Sequence, residues 1–451
     1  MPEAPVHFVG VCGAGMSALA QYRALGGTPV TGSDRLLDRG ETAQTRAALE
    51  ALGVRVFPQD GSGLSTGTRE CVVSTAIEDD NKDLVRAREL SVPVVHRADA
   101  LAREVEARET FAVAGTSGKS TVAGMVFEVL AYVGRDPAVI TGAPLGALAR
   151  KGLVGNAWAG KGPLVIEADE SDGTLPKYAP AYGLVLNVGK DHKEVPELLA
   201  MFDAFARRCG TCVAGADQPL LKDVARRCST YGFEGGDLRA SDLRADGRGS
   251  SFTADGARFE LSLPGRYNAE NALAAAAVCR EAGVPAAASA EALRRFQGVA
   301  RRFDVVGTSR GTEVVDDYAH NPDKVRAVLA AAKGRGRRVL ALFQPHGYAP
   351  TRFLKAEFVA AFSEALGPDD MLWVTGIYYA GGTAAKDVSG ADIARPAAAR
   401  GRRARYVEDR EKAADEAAAE ARPGDVVLVL GARDPSLTDF ARGLLRRLEA
   451  R

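Results

Sequence analysis

Short apolar runs alternate with amphipathic stretches along the whole chain. VHFVGV (6–11), TPVTGSD (28–34), VRVF (54–57), CVVSTA (71–76) and VPVVH (92–96) have the length and β-branched content of buried strands. Helical stretches such as ETAQTRAALEALG (41–53) fill the gaps. A second block begins at TFAVAG (110–115), continues through LVIEAD (164–169) and YGLVLNV (182–188), and reaches a long helix at NAENALAAAAVCREAG (268–283). Within it, residues 233–263 carry Gly and Asp turns and read as a small β-rich excursion. The third block starts near Arg301, with strands expected at TEVVDDYA (312–319), RRVLALF (337–343), DMLWVTGIY (370–378), ARYVE (404–408) and DVVLVLG (425–431). Strands alternating with helices predict an α/β protein of parallel sheets in three domains, spanning 1–105, 106–300 and 301–451.

Composition narrows the partners. At 451 residues the chain suits two or three domains. Lys and Arg together number 58, as do Asp and Glu, so a zero net charge argues against a nucleic-acid or membrane footprint. The basic runs 333–338 and 400–405 precede apolar strands and read as solvated turns. No apolar run reaches the ~18–20 residues that span a bilayer, and the first residues lack the pattern of a signal peptide, so a cytoplasmic protein, monomeric or a weak homodimer, is expected. Six scattered cysteines do not make a disulfide framework. Cys209 and Cys212 form a single CxxC, with Cys228 as a third thiol; a structural zinc site wants four ligands, and no fourth is evident.

Two glycine loops carry the chemistry. The first is Gly13-Ala14-Gly15-Met16-Ser17-Ala18, a G-x-G-x-x-A turn between a strand and a helix. Its glycines let backbone approach a pyrophosphate at a helix N-terminus. Asp34, at the end of the second strand, stands where a ribose or base contact is expected. NAD(P) and a nucleotide-diphosphate sugar both suit this loop. The second is Gly115-Thr116-Ser117-Gly118-Lys119-Ser120-Thr121, a shortened P-loop. Its amides and helix N-terminus point at phosphate oxygens, Lys119 reaches the β/γ-phosphates, and the Ser120 hydroxyl can ligate Mg²⁺. Ligands collect at strand C-terminal ends in open parallel sheets, so Glu170 in LVIEADESDG and His192 in LVLNVGKDH are expected near Ser120. A dehydrogenase would leave the second loop idle, and a simple kinase or GTPase the first. A protein with a nucleotide-linked substrate in one domain and ATP in the next uses both.

The motif order GVCGAGMS, VVSTAIEDDN (72–81), AVAGTSGKST, EADESD, NVGKDH, GRYNAENALAA (265–275), ARRFD (300–304), DDYAHNP (316–322) and FQPHGY (343–348) resembles the Mur ligases, particularly their alanine-adding branch, over nearly the whole chain. The resemblance implies a Rossmann-like first domain for a UDP-sugar, a P-loop ATPase-like central domain, and a Rossmann-like third domain closing over ATP and the amino acid. It implies an ATP- and Mg²⁺-dependent amide ligase of peptidoglycan precursor synthesis, joining an amino acid, L-alanine foremost, to a UDP-linked sugar acid through an acyl phosphate. It further implies that Lys119, Glu170 and His192 serve catalysis, with Ser120, Glu170 and His192 on the metal. Asn268, Asn271, Arg302 and Asp317 would join residues 115–121 around ATP. Gly13, Ala14, Gly15, Met16, Ser17, Asp34, Ser74 and His346 would face substrate.

Several positions depart from the alanine-adding pattern. Ser117 and Tyr267 stand where His is usual, Asn321 replaces the second His of a DDYAHHP-like motif, and GKDH lacks the usual acidic residue two before its Asp-His. Gly347 replaces an Arg after FQPH, and GARDP (431–435) replaces a Gly-Ala-Gly-Asp run. Losing a guanidinium changes which carboxylate can be held. A paralogue joining another acid and amine is therefore the alternative within this chemistry. A silent nucleotide-binding partner or an NAD(P)-dependent dehydrogenase are alternatives outside it.

Overall fold

The computed structural model describes residues 3–40, 42–171, 173–190, 193–379, 381 and 384–450. The chain forms two compact units. One comprises residues 1–241, 253–259 and 270–299; the other comprises 242–252, 260–269 and 300–451. Among the described residues no helix is long and apolar enough to cross a membrane.

The first unit opens with a five-stranded parallel sheet, in the order Arg55–Phe57, Val30–Ser33, Val6–Val9, Glu70–Val73, Val94–His96. That order reverses at the first strand, so the sheet has its switch point where the Gly13 loop leaves it. A second sheet has the P-loop strand Thr110–Ala114 between Tyr182–Val185 and Leu164–Glu167, all parallel. Outward on one side follow Ala138–Ile140 and Ala157–Trp158; on the other, Thr211–Gly215 and Ser229–Gly232. The β-rich excursion expected at 233–263 is present as Leu238–Ala245, Ser250–Ala254 and Ala257–Leu261, which extend this same sheet to ten strands among the described residues. The division between the two units passes through those three strands, through the helix Arg266–Glu281 and between residues 299 and 300.

One apolar core serves both sheets of the first unit: Phe8, Met16 and Leu19 belong to the same buried cluster as Ala112, Ile140 and Ile166. The helix Ala14–Leu25 is buried over Met16–Arg23. A buried amide pair joins it to the central sheet: Gln21 Nε2 donates to Asn156 Oδ1 at 2.7 Å, and Asn156 Nδ2 donates to the Ala14 carbonyl at 3.0 Å and the Ser17 hydroxyl at 3.1 Å.

The second unit is built on six strands: Asp304–Ser309, Thr312–Asp317, Val426–Gly431, Val339–Gln344, Met371–Val374 and Ala404–Tyr406. The first pair is antiparallel and the rest parallel. Val339, Ala341 and Phe343 enter one core while Leu340 and Leu342 enter another, so both faces are covered and the strands read as continuous apolar runs. The run 370–378, expected as one strand, stops at Val374. Beyond it Tyr378 bridges to His346 and its carbonyl accepts from Gly347 N, so a local pairing ends the strand.

Candidate active site

The first glycine loop is set by backbone geometry. Gly10 has φ +76°, and Gly13 N donates to the Gly10 carbonyl at 3.1 Å. Asp34 holds the turn from the next strand: one carboxylate oxygen accepts from Cys12 N and the other from Leu36 N, both at 2.9 Å. Its carboxylate is thus engaged by backbone amides, and Asp34 fixes the loop's shape. Gly13 and Ala14 are exposed, while the side chains of Met16 and Ser17 are buried. Ser17 N donates to Gly13 and the Ser17 hydroxyl to the Ala14 carbonyl, leaving the amides of Ala14, Gly15 and Met16 as the helix's unsatisfied first turn. Arg97, absent from the sequence-based set, has its guanidinium against Gly15, where a Cβ would come within 3.1 Å of Nη1. Ser74 follows the strand Glu70–Val73 at the same C-terminal edge of the sheet.

The second loop is more tightly built. Gly118 takes φ +90° and begins the helix Lys119–Tyr132. A Cβ there would lie 2.5 Å from Asn271 Oδ1, so this glycine serves both conformation and clearance. Thr116 and Ser117 are braced by the segment after Tyr182–Val185. Ser117 N donates to Asn187 Oδ1 at 2.9 Å, Asn187 Nδ2 to the Ser117 carbonyl at 3.0 Å, and Gly189 N to the Thr116 hydroxyl at 3.1 Å. Lys119 Nζ donates to Glu170 Oε2 at 2.6 Å and to the Gly115 carbonyl at 2.8 Å, with Asp169 Oδ1 at 3.8 Å.

The carboxylate that reaches the Ser120 hydroxyl is that of Glu167, at 2.8 Å, and the same oxygen accepts from Gly142 N at 2.8 Å. Glu170, expected near Ser120, pairs with Lys119, and Glu167 takes the place at the Ser120 hydroxyl. His192 lies outside the described residues, as do Asp172 and Asp191. Burial works against the Lys119 charge, but Glu170, Asp169 and Glu167 outweigh it and hold the ammonium's pKa above the ordinary lysine value. Burial, aided by the neighbouring Asp169 carboxylate and opposed by Lys119, raises Glu170. Three carboxylates around one ammonium leave a local excess of negative charge. Thr121 is buried, and Asn268 Nδ2 donates to the Pro264 carbonyl at 2.8 Å.

In the second unit, Asp317 accepts from Phe303 N and Ala319 N, both at 2.7 Å. Burial pushes its pKa up to about 6, against the pull of Arg302 and those two amides. Arg302 lies over the Tyr318 ring at 4.8 Å. The turn has left-handed Arg301 and Phe303, φ +57° and +52°. Arg301, also passed over in the sequence, pairs with Asp316 at 3.2 Å and donates to the Gly431 carbonyl at 2.7 Å and the Asp434 carbonyl at 3.3 Å, which ties the GARDP turn to ARRFD. Arg433 N donates to the Tyr318 hydroxyl at 3.1 Å. His346 is buried with its ring 5.3 Å from that of His320. Gly347 has φ +67°, so the position that departs from the family's Arg has a backbone suited to glycine.

Three family descriptions match in order: Mur ligase family, catalytic domain, at residues 5–109; Mur ligase middle domain at 113–279; and Mur ligase, glutamate ligase domain, at 301–433. The chain belongs to the Mur ligase family. Members of this family are ATP-dependent ligases that form a C–N bond. This Mur ligase is 38% identical to the UDP-N-acetylmuramate–L-alanine ligase of Anaeromyxobacter dehalogenans, covering 96% of this chain and 95% of that protein. It is 37% identical to the protein of the same name from Geotalea uraniireducens, covering 95% and 94%. Its fold matches a crystal structure of the UDP-N-acetylmuramate–alanine ligase of Thermotoga maritima with a TM-score of 0.81 at 28% identity, over 99% of each chain. It also matches a murein peptide ligase from Psychrobacter arcticus, with a TM-score of 0.71 at 21% identity, a likeness of fold.

Proposed function

We propose that this Mur ligase joins L-alanine to the carboxylate of UDP-N-acetylmuramate, using ATP, in peptidoglycan precursor synthesis. The observation that carries the reading is the braced loop 115–121, with Lys119 beside a strand-end carboxylate cluster in the same unit as a pyrophosphate-type glycine loop. The full-length likeness to alanine-adding ligases supports the choice of acid and amine.

A carboxylate is a poor electrophile because its charge is delocalised and its leaving group would be an oxide. A carboxylate oxygen of the sugar acid attacks the γ-phosphorus, and ADP leaves. The amine of alanine then attacks the acyl carbon, a tetrahedral intermediate forms, and phosphate departs as the amide closes. Lys119 offsets charge on the transferring phosphoryl oxygens. The amides of residues 115–121 hold the phosphate chain, and those of Ala14, Gly15 and Met16, with Arg97, hold the pyrophosphate of the sugar nucleotide. No side chain is required as a nucleophile; positioning carries the second step.

The donor set beside Lys119 fits Mg²⁺. Ser120 and Glu167 offer hard oxygens 2.8 Å apart within the excess of negative charge. Among the described residues no cluster of three or more His, Cys, Asp or Glu forms a self-sufficient metal cage. Mg²⁺ is held by one or two carboxylates and completes its shell with water and phosphate, which Ser120 and Glu167 leave room for. When bound, the ion supplies charge neutralisation at the phosphate oxygens.

The test is product mass and phosphate release with ATP, Mg²⁺, UDP-N-acetylmuramate and a panel of amines. The expected product is the L-alanyl conjugate. Phosphate release with L-alanine no greater than in the blank without amine, while a peptide or another amine is turned over, would overturn the substrate assignment and leave the ligase chemistry standing.

A further inference from the structure

Three thiols cluster at the N-terminal edge of the central sheet: Cys212 in the strand Thr211–Gly215, Cys209 just before it, and Cys228 just before the neighbouring strand Ser229–Gly232. Gly183 is paired in register with Cys212, and Val213 with Ser229 one step on, which puts Cys212 beside Cys228. The sulfurs of Cys212 and Cys228 are 2.6 Å apart. A Cβ at Gly183 would overlap the sulfur of Cys209, so the glycine makes room for a third thiol beside Cys212. Cys212 is buried, while Cys209 and Cys228 are partly exposed.

We propose that Cys212 and Cys228 form a reversible disulfide under peroxide, with Cys209 a neighbouring thiol outside the bridge. Adjacent strands lie ~4.7–4.9 Å apart, inside the Cα–Cα range of ~4.4–6.8 Å that a disulfide spans. The bridge therefore joins Cys212 to the residue that leads into the neighbouring, already paired strand, and the sheet keeps its register. The sulfur of one thiol attacks the peroxide, the O–O bond breaks, and a sulfenic acid and one water result. The second sulfur then displaces the sulfenic hydroxyl: an S–S bond forms, an S–O bond breaks, and a second water carries off the remaining thiol proton. Two electrons pass from the two thiols to the peroxide. Hydrogen bonding within the cluster, reinforced by burial, keeps Cys212 and Cys228 protonated well above the usual thiol range, so the reaction is slow and needs excess oxidant.

The test treats the full-length native protein with excess hydrogen peroxide, then unfolds it and alkylates the remaining thiols for intact and peptide mass analysis. Alkylation is expected to fall from six thiols to four. A Cys212–Cys228 linked peptide two hydrogens lighter than the sum of its thiol halves should appear, and a dithiol reductant should restore all six. The linked protein should melt at a higher temperature, since the bridge restrains the unfolded chain. Cys209→Ser should keep the bridge and Cys228→Ser should remove it. A wild-type protein with all six thiols still alkylated, a bridge from Cys209, or the same linked peptide at equal yield from urea-unfolded chain would each overturn the proposal.

Discussion

Around Lys119, one ammonium faces Glu167, Asp169 and Glu170, and the division of labour among those carboxylates is testable. Lys119→Ala should lower the ligation rate by ~10²–10³ or more, the usual cost of one lost electrostatic contact to a developing charge; turnover with a near-native circular-dichroism spectrum checks it. Glu167→Gln should raise the Mg²⁺ concentration needed for half-maximal rate more than Glu170→Gln does, because Glu167 is the carboxylate at the Ser120 hydroxyl. Equal Mg²⁺ dependence in the two variants would sink that assignment. The acidic stretch after Leu164 was legible in the sequence, but which carboxylate reaches Ser120 was not. That depends on where the strand ends and which face residue 167 takes beside Val113. Asp317 gives a pH signature. Its folded pKa of about 6 lies above the ordinary 3.8, so between these values the folded state binds more protons than the unfolded. The contribution of Asp317 to stability should therefore fall as pH rises from about 4 to about 6, by on the order of 2–3 kcal/mol, and stay flat above. Denaturant melts of the unaltered protein and of Asp317→Asn across that window should show it as a pH-dependent difference between the two, and a constant difference would count against it.

At the scale of elements, the P-loop is an assembly of three segments. Its strand and helix were readable from TFAVAG and the following apolar stretch, and its glycines from their spacing. The clamp was not readable. Asn187 and Gly189 grip Thr116 and Ser117 only because Tyr182–Val185 lies beside Thr110–Ala114 in the sheet. Asn271 covers Gly118 from a helix about 150 residues later in the chain. Sequence spacing cannot reveal a pairing made across a sheet. The same cause explains why 233–263 was legible as strands but not as an extension of the central sheet. Gly118→Ala tests the assembly. The left-handed backbone costs about 1–3 kcal/mol for a side chain, and Asn271 must also retreat. ATP affinity by calorimetry should drop by about tenfold or more, since each 1.4 kcal/mol is a factor of ten. Unchanged affinity would show that the loop has slack the hydrogen bonds do not suggest.

Across the molecule, the two glycine loops belong to one unit whose sheets share a core, and that sharing has an energetic consequence. Buried residues of the first sheet and of the P-loop sheet lie in one apolar cluster, and Asn156 satisfies Gln21, Ala14 and Ser17 across the seam. Separating the sheets would expose apolar surface and exchange the Asn156 hydrogen bonds for water at once, so the seam should not open by itself. Under native-state hydrogen exchange with rising denaturant, amides of Val6–Val9 and Thr110–Ala114 should lose protection together, as one cooperative unit. Asn156→Ala removes the amide link but only part of the core. Leaving buried groups unsatisfied costs about 1–3 kcal/mol, so the variant should open at lower denaturant while both strands still exchange together. If the first sheet instead lost protection well before Thr110–Ala114 in the unaltered protein, the common core would not couple them. The pyrophosphate loop would then move independently of the P-loop, and the geometry that sets Arg97 against Gly15 would not be fixed relative to Lys119.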